Sequence, residues 1–304
     1  MANRDFQYHD DFTVTDEMKA AWNDDGYILV RSILSPKEIS ILGPALESDD
    51  GVRQHAFGLD DGEGSLSKMC LWNHPGNDIT GMLFRSRKMV DTAEQLLGGE
   101  VYHYHTKLMM KEAHTGGKHI WHQDYGYWYQ NGCLFPDMMS VFVAIDKCDI
   151  GNGCLQVLKG SHKLGRIEHG AVGGQTGANL ERVNQAAKEL PLVHVEMQPG
   201  DALFFHCNVL HKSEQNKSDR RRWVFIAAYN RATNNPVKDH HHPKYTPLVK
   251  VPNSAILTCG SKTDMTGKDF MDPTKAEGIQ NAKRLMPGKD FPDPTKAPKR
   301  LKTK

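Results

Sequence analysis

His122, Asp124 and His211 constrain this chain more than any other feature, because they ask two segments 87 positions apart to meet at one point. Two imidazoles and one carboxylate can occupy one triangular face of an octahedral ferrous ion and leave three positions open, the ligand set of non-haem iron oxygenases. Ile120, His122 and Asp124 alternate, so on an extended strand His122 and Asp124 project from one face and Gln123 from the other. His211 closes a second strand-like run, Ala202 to His211, opened by the turn signal Pro199-Gly200-Asp201. A lone His-x-Asp pair is weak evidence in a chain with 16 histidines. The surrounding pattern has to supply the rest.

That pattern is helical first and stranded afterwards. Thr15, followed by Asp16 and Glu17, predicts a capped helix, and Asp25-Gly26 turns it into a strand at Tyr27–Val30. Ser35-Pro36 predicts a second helix start, residues 48–64 read as a Gly- and Asp-rich loop, and Met82–Leu97 is an amphipathic helix stopped by Gly98-Gly99. Short β runs follow at Val101–Met110, His119–Tyr125, Met139–Ile145, Cys154–Leu158, Leu192–Met197, Ala202–His206 and Arg222–Tyr229. The expected fold is mainly β with flanking helices, a double-stranded β-helix or jelly roll buttressed by N-terminal helices. The long Gly-rich stretch from Gly165 to Lys188 reads as a lid over a site.

Two units are expected, a jelly-roll domain over 1–235 and a Lys- and Pro-rich extension over 236–304 that is surface-docked or flexible. The extension holds a repeat in which Gly267–Ala276 recurs as Gly288–Ala297 with one difference in ten, too few copies for a solenoid. A formal net charge of +1 gives no field that would draw the body to nucleic acid or to an anionic membrane, and no apolar run reaches a membrane span. The expected partner is a small molecule. Six scattered cysteines without CxxC pairs, and a start without an apolar leader, lead us to expect a cytoplasmic location.

Trp121-His122-Gln123-Asp124, Asn152-Gly153-Cys154-Leu155, Gly160-Ser161-His162, Gly200–His206, His211–Asn216 and Arg222, with Asp25–Val30 near the start, closely resemble the phytanoyl-CoA dioxygenase family over roughly residues 15–235. That family includes ectoine hydroxylase and other small-molecule hydroxylases. The resemblance implies that His122, Asp124 and His211 bind Fe(II), and that 2-oxoglutarate and O2 are co-substrates. It also implies that Arg222 pairs with the far carboxylate of 2-oxoglutarate, a role that suits a planar, always-charged guanidinium. Arg220 and Arg221 are rivals that chemistry alone does not eliminate. Ser213 and Gln123 match positions that help hold the co-substrate in the family, and Lys111 aligns loosely with a lysine used there.

Other conspicuous residues have blander readings. His240-His241-His242 reads as a surface loop, His206 as structural, and His103 and His105 as satisfied histidines of the core or of the site's surroundings. Tyr125, Tyr127, Trp128 and Tyr129 are either sheet aromatics or the lining of a substrate pocket that could enclose a cationic amine. The expected activity is hydroxylation of a C–H bond in a small polar molecule: a cationic amine, an amino-acid derivative or an aminophosphonate. The alternatives are an acyl-CoA hydroxylase, a jelly roll that holds metal without turnover, and a zinc hydrolase using the same ligands.

Overall fold

The computed structural model of the chain describes residues 4–172, 175–273 and 282–284. Its first part is β1 (Asp5–Gln7), α1 (Asp16–Asp25), β2 (Tyr27–Arg31), α2 (Pro36–Ser48), α3 (Asp50–His55), β3 (Phe57–Asp60), β4 (Leu66–Asn73), α4 (Ile79–Arg85) and α5 (Arg87–Leu97). The cap chemistry read from the sequence is realised. The Thr15 side chain accepts from the Met18 N–H, and Ser35 and Glu38 form a capping box with Pro36 opening the helix. Gly26 ends α1 with a left-handed φ of 84°.

Two expectations fail here for tertiary reasons. The helix expected over Met82–Leu97 is broken at Ser86, because Arg87 N–H bonds to the Val251 carbonyl and the Val251 N–H to that of Arg85. Residues 48–64, read as loop, contain α3 and β3; Asp49 caps the helix, and β3 exists because β4 offers it a ladder.

The second part runs β5 (Val101–Lys111), β6 (His119–His122), α6 (Asp124–Gln130), β7 (Met138–Ala144), β8 (Leu155–Leu158), β9 (His169–Val172), β10 (Gln175–Ala178), α7 (Leu180–Glu189), β11 (Leu192–Val195), β12 (Ala202–His206), β13 (His211–Ser213) and β14 (Arg222–Arg231). The large sheet has the order β1-β2-β12-β7-β14-β5-β4-β3, and the small one β11-β8-β13-β6. The pairings are antiparallel except β1 with β2. Strand alternation explains why the middle of the large sheet is apolar on both faces. Ala202 and Phe204 join the core beneath the helices with Ile28, Val30 and Phe225, whereas Leu203 and Phe205 join the core between the sheets with Phe142, Val157 and Ile226. This is the expected jelly roll, with the helices packed behind its large sheet.

Residues 236–273 dock on that body. Here α8 (Ala255–Thr258) packs against α4 and α2, and β15 (Asp269–Phe270) pairs with β4. The backbone of β16 (Ala282–Arg284) pairs with β3. The first repeat copy therefore supplies the docking segment, with Lys268 ion-paired to Asp78 and Met271 buried. The second copy, 288–297, and the basic end lie outside the described residues.

Both side chains of the Lys268–Asp78 pair are essentially buried, at 1% and 0% exposure. Removing one partner of such a pair leaves a lone charge in low dielectric. Lys268→Ala is predicted to lower unfolding stability by about 3–5 kcal/mol in urea titrations, while Lys19→Ala, at an exposed pair, leaves the midpoint unchanged. Acid should act on the core as well. Burial pushes His103 down to about 3 and His206 down to about 4. Both are neutral when folded, so the unfolded chain binds more protons below its ordinary value of about 6.5. Each then costs about 1.4 kcal/mol of stability per pH unit from about pH 6.5 down toward pH 4. Urea titrations of metal-free protein at pH 7, 6 and 5 check this, and His206→Gln should flatten the slope.

Candidate active site

The small sheet pairs His211 directly with His122, which places the two imidazoles side by side with ring centroids 4.0 Å apart. Asp124 arrives differently from the expected strand. The strand ends at His122, Gln123 is the extended residue at the cap, and Asp124 opens α6. The carboxylate Oδ1 lies 3.8 Å from Nε2 of each histidine. Every remaining donor or acceptor of the triad is held. His122 Nδ1 pairs with the Ile120 carbonyl at 2.8 Å, His211 Nδ1 with that of Val209 at 2.9 Å, and the Ser140 hydroxyl donates to Asp124 Oδ2 at 2.6 Å. Such bonds fix the Nδ1–H tautomer and leave Nε2 as a lone pair. Burial keeps His122 well below the usual imidazole range and His211 below it, so both are neutral ligands. One atom from each side chain lies within 4.8 Å of the others, and this donor set of two neutral nitrogens and one carboxylate fits iron.

Two cavities meet at these ligands, since His122 and Asp124 line both. The smaller, of about 450 Å3, is lined by Arg222 and Ser213 together with Lys107, His119 and apolar side chains. Arg222, at the start of β14, is 2% exposed and makes no ion pair or hydrogen bond among the described residues, its Nε included. A buried guanidinium without a protein partner is built for an anionic occupant, which fits a carboxylate of 2-oxoglutarate. The rival arginines face elsewhere: Arg220 pairs with Asp149 at 2.7 Å, and Arg221 with Glu47 and Asp146.

Two co-substrate assignments change. Gln123 lines neither cavity; its amide donates to the carbonyls of Gly165 and Asn208 and accepts from the Ile167 N–H, tying the chain around Gly165 behind the triad. Lys111 is the register partner of Arg222, yet its ammonium donates to the Glu214 carbonyl.

The larger cavity, of about 900 Å3, lies on the other side of the triad. Tyr127 and Trp128 line it, but from α6 and not from a sheet. A Cβ at Gly126 would stand 2.3 Å from the His169 ring, so this helix needs glycine there to seat beside the hairpin of β9 and β10. That hairpin sends Gln175 and Thr176 into the wall, and the Tyr127 hydroxyl donates to the Thr176 carbonyl. Tyr125 turns away and donates to the Leu134 carbonyl at 2.6 Å.

Apart from His105, read as a histidine of the core or of the site's surroundings, the rest of the wall was missed in the sequence. Lys107, His105 and His119 line it, as do His241, His242 and Met271 from the extension. The reading of His240–His242 as a surface loop is thus corrected for His241 and His242, the latter 7% exposed and stacked on His105. His103, by contrast, bonds to Thr106 at 2.7 Å, since a bulge opposite Ala228 and Tyr229 skips Tyr104 and separates it from the face of His105. The available signal was β5 itself, a buried strand with His105, Lys107 and Lys111 at alternate positions.

The family model described as phytanoyl-CoA dioxygenase (PhyH) matches residues 22–224. L-proline trans-4-hydroxylase of Streptomyces griseoviridis is 30% identical over 251 residues, 77% of this chain and 91% of that protein. Ectoine dioxygenase of Sphingopyxis alaskensis is 24% identical over 249 residues, covering 75% and 79%. The solved apo structure of EctD from S. alaskensis superposes with a TM-score of 0.67 at 22% identity, over 82% of this chain and 92% of that one. The matched span includes the triad and Arg222, and on that ground the chain belongs to the phytanoyl-CoA dioxygenase family, as an Fe(II)- and 2-oxoglutarate-dependent dioxygenase.

Proposed function

We propose that this enzyme hydroxylates a C–H bond of a compact amino acid of the proline or ectoine kind. His122, Asp124 and His211 hold Fe(II), and Arg222 with Ser213 receives 2-oxoglutarate in the smaller cavity. The substrate sits in the larger one against Tyr127 and Trp128. When bound, iron and 2-oxoglutarate supply the oxidising chemistry with O2, and succinate and CO2 are released. The protein's own share is orientation and exclusion of water. Ser140 aims the carboxylate, the two carbonyl-bonded imidazoles present fixed lone pairs, and the aromatic wall keeps the reacting carbon away from bulk solvent.

The observation that carries this reading is the confluence of the two cavities at the triad, one with an uncommitted guanidinium and the other with an apolar and imidazole wall. A zinc hydrolase has no use for the first. An acyl-CoA needs several cations for its phosphates, whereas among the described residues Lys107 is the one Lys or Arg in the lining of the larger cavity. Asp124 is the one carboxylate there among the described residues, and it is a metal ligand, so a zwitterion suits the lining better than a quaternary amine. The similarity to L-proline trans-4-hydroxylase supports the same class. Six free cysteines, five of them buried, support a cytoplasmic setting.

Succinate release and a gain of one oxygen in product mass, screened over L-proline, ectoine, glycine betaine, an aminophosphonate and an acyl-CoA, should single out a compact amino acid. Stimulation by the acyl-CoA alone would sink the reading. Arg222→Leu should raise the KM for 2-oxoglutarate at least thirtyfold, the equivalent of about 2 kcal/mol for a buried charge left unpaired, while Arg221→Leu should not. Ser140→Ala is predicted to weaken Fe(II) binding about 10–100-fold, read by anaerobic titration.

A further inference from the structure

The wall supplied by residues 236–273 lies beyond the span that the family model matches. Within it, three side chains form a directed relay. Asn73, at the end of β4, donates through its amide nitrogen to the His241 carbonyl and to Asp269 Oδ2, the latter at 3.0 Å. A carbonyl and a carboxylate can only accept, so the amide group between them must be the NH2. Asn73 Oδ1 is then left to accept, and it stands 2.9 Å from His242 Nδ1. The proton of this imidazole must therefore be on Nδ1, which leaves Nε2 as a lone pair. His242 lines the cavity, buried and stacked on His105 with ring centroids 4.6 Å apart. Burial and the nearby His105, His241, His240 and Lys107 hold it well below the usual imidazole range, so it does not donate from Nε2.

We infer that His242 Nε2 accepts a hydrogen bond from the substrate's amine, and that the extension selects for an amine-bearing substrate through the relay Asp269–Asn73–His242. This rests on the amino-acid reading and names the group that recognises one end of that substrate. Lys107 complements it. Its ammonium makes no hydrogen bond or ion pair among the described residues and lies in the same wall, suited to the carboxylate end. Met271, from the same extension, together with Leu59, Met69 and Leu71 offers an apolar face to the carbon skeleton between them.

The test compares L-proline with tetrahydrofuran-2-carboxylate, which keeps the ring and the carboxylate but replaces the N–H by an ether oxygen. In the full-length iron enzyme with 2-oxoglutarate, wild type should prefer L-proline, and His242→Phe should reduce the ratio of the two kcat/KM values about tenfold, as expected for one charge-assisted hydrogen bond. Asp269→Ala, which removes one of the two acceptors that orient the Asn73 amide, should reduce it by a smaller factor. A wild-type ratio retained in His242→Phe overturns the inference, and general destabilisation does not imitate the expected result because it lowers both rates together. A second measurement needs no turnover. Nitrogen NMR of histidine-labelled protein loaded with zinc and 2-oxoglutarate should show His242 protonated on Nδ1; protonation on Nε2 overturns the inference whatever the substrate. If wild type turns over neither of these compounds nor ectoine, it is the amino-acid reading itself that falls.

Discussion

The antiparallel pairing of β6 with β13 is the constraint on which the site depends. Its register sets His122 opposite His211, and in a strand pair a slip of one residue turns every side chain to the other face. A slipped pair would present Gln123 or Lys212 to the metal position. Register here is held from outside the pair: β13 is also laddered to β8, and the Gln123 amide anchors the chain at Gly165, Ile167 and Asn208. The residue between the two metal-facing side chains thus acts at a distance from the chemistry. Its contribution is to keep the strand end from sliding.

The site is also where the protein departs from the rule that buried cations are paired. Arg222 and Lys107 face the cavities without a hydrogen bond or ion pair among the described residues, and His105 and His119 each have a buried Nδ1 without a partner. Leaving such groups uncompensated costs stability, roughly 1–3 kcal/mol for an unmet hydrogen bond and more for a charge. The two apolar cores on either side of the large sheet offset that cost. Anionic ligands relieve it, so binding and stability are coupled, and a ligand present well above its Kd raises the unfolding midpoint.

The extension shows how a wall can be assembled from residues far apart in the chain. Its docking is driven by a buried ion pair to α4, a ladder to β4 and an apolar contact at Met271. The same contacts carry His241 and His242 into the larger cavity. Stability of the docked segment and shape of the larger cavity are therefore one property. The break of the expected long helix at Ser86 is part of it, since that is where the extension's Val251 bonds to the backbone.

What the sequence by itself determined is local and chemical. Helix starts at Thr15 and Ser35 follow from side-chain capping, and the turn at Gly26 from a φ that glycine adopts freely. The jelly roll follows from short alternating runs, and the candidate metal triad from a donor set that few chemistries share. What only the tertiary structure decided depends on contacts between distant segments. Asp124 begins a helix because the chain turns after Gln123 to place Tyr125 N–H on the Cys207 carbonyl, which no local pattern announces. Arg222 was separated from Arg220 and Arg221 only when Asp146, Asp149 and Glu47 took up the other two. Lys107 faces the cavity by its strand register, and His242 lines it because Asn73 and Asp269, 196 positions apart, meet beside it. Side-chain type is written residue by residue, whereas which polar group is left without a partner is a property of the whole fold.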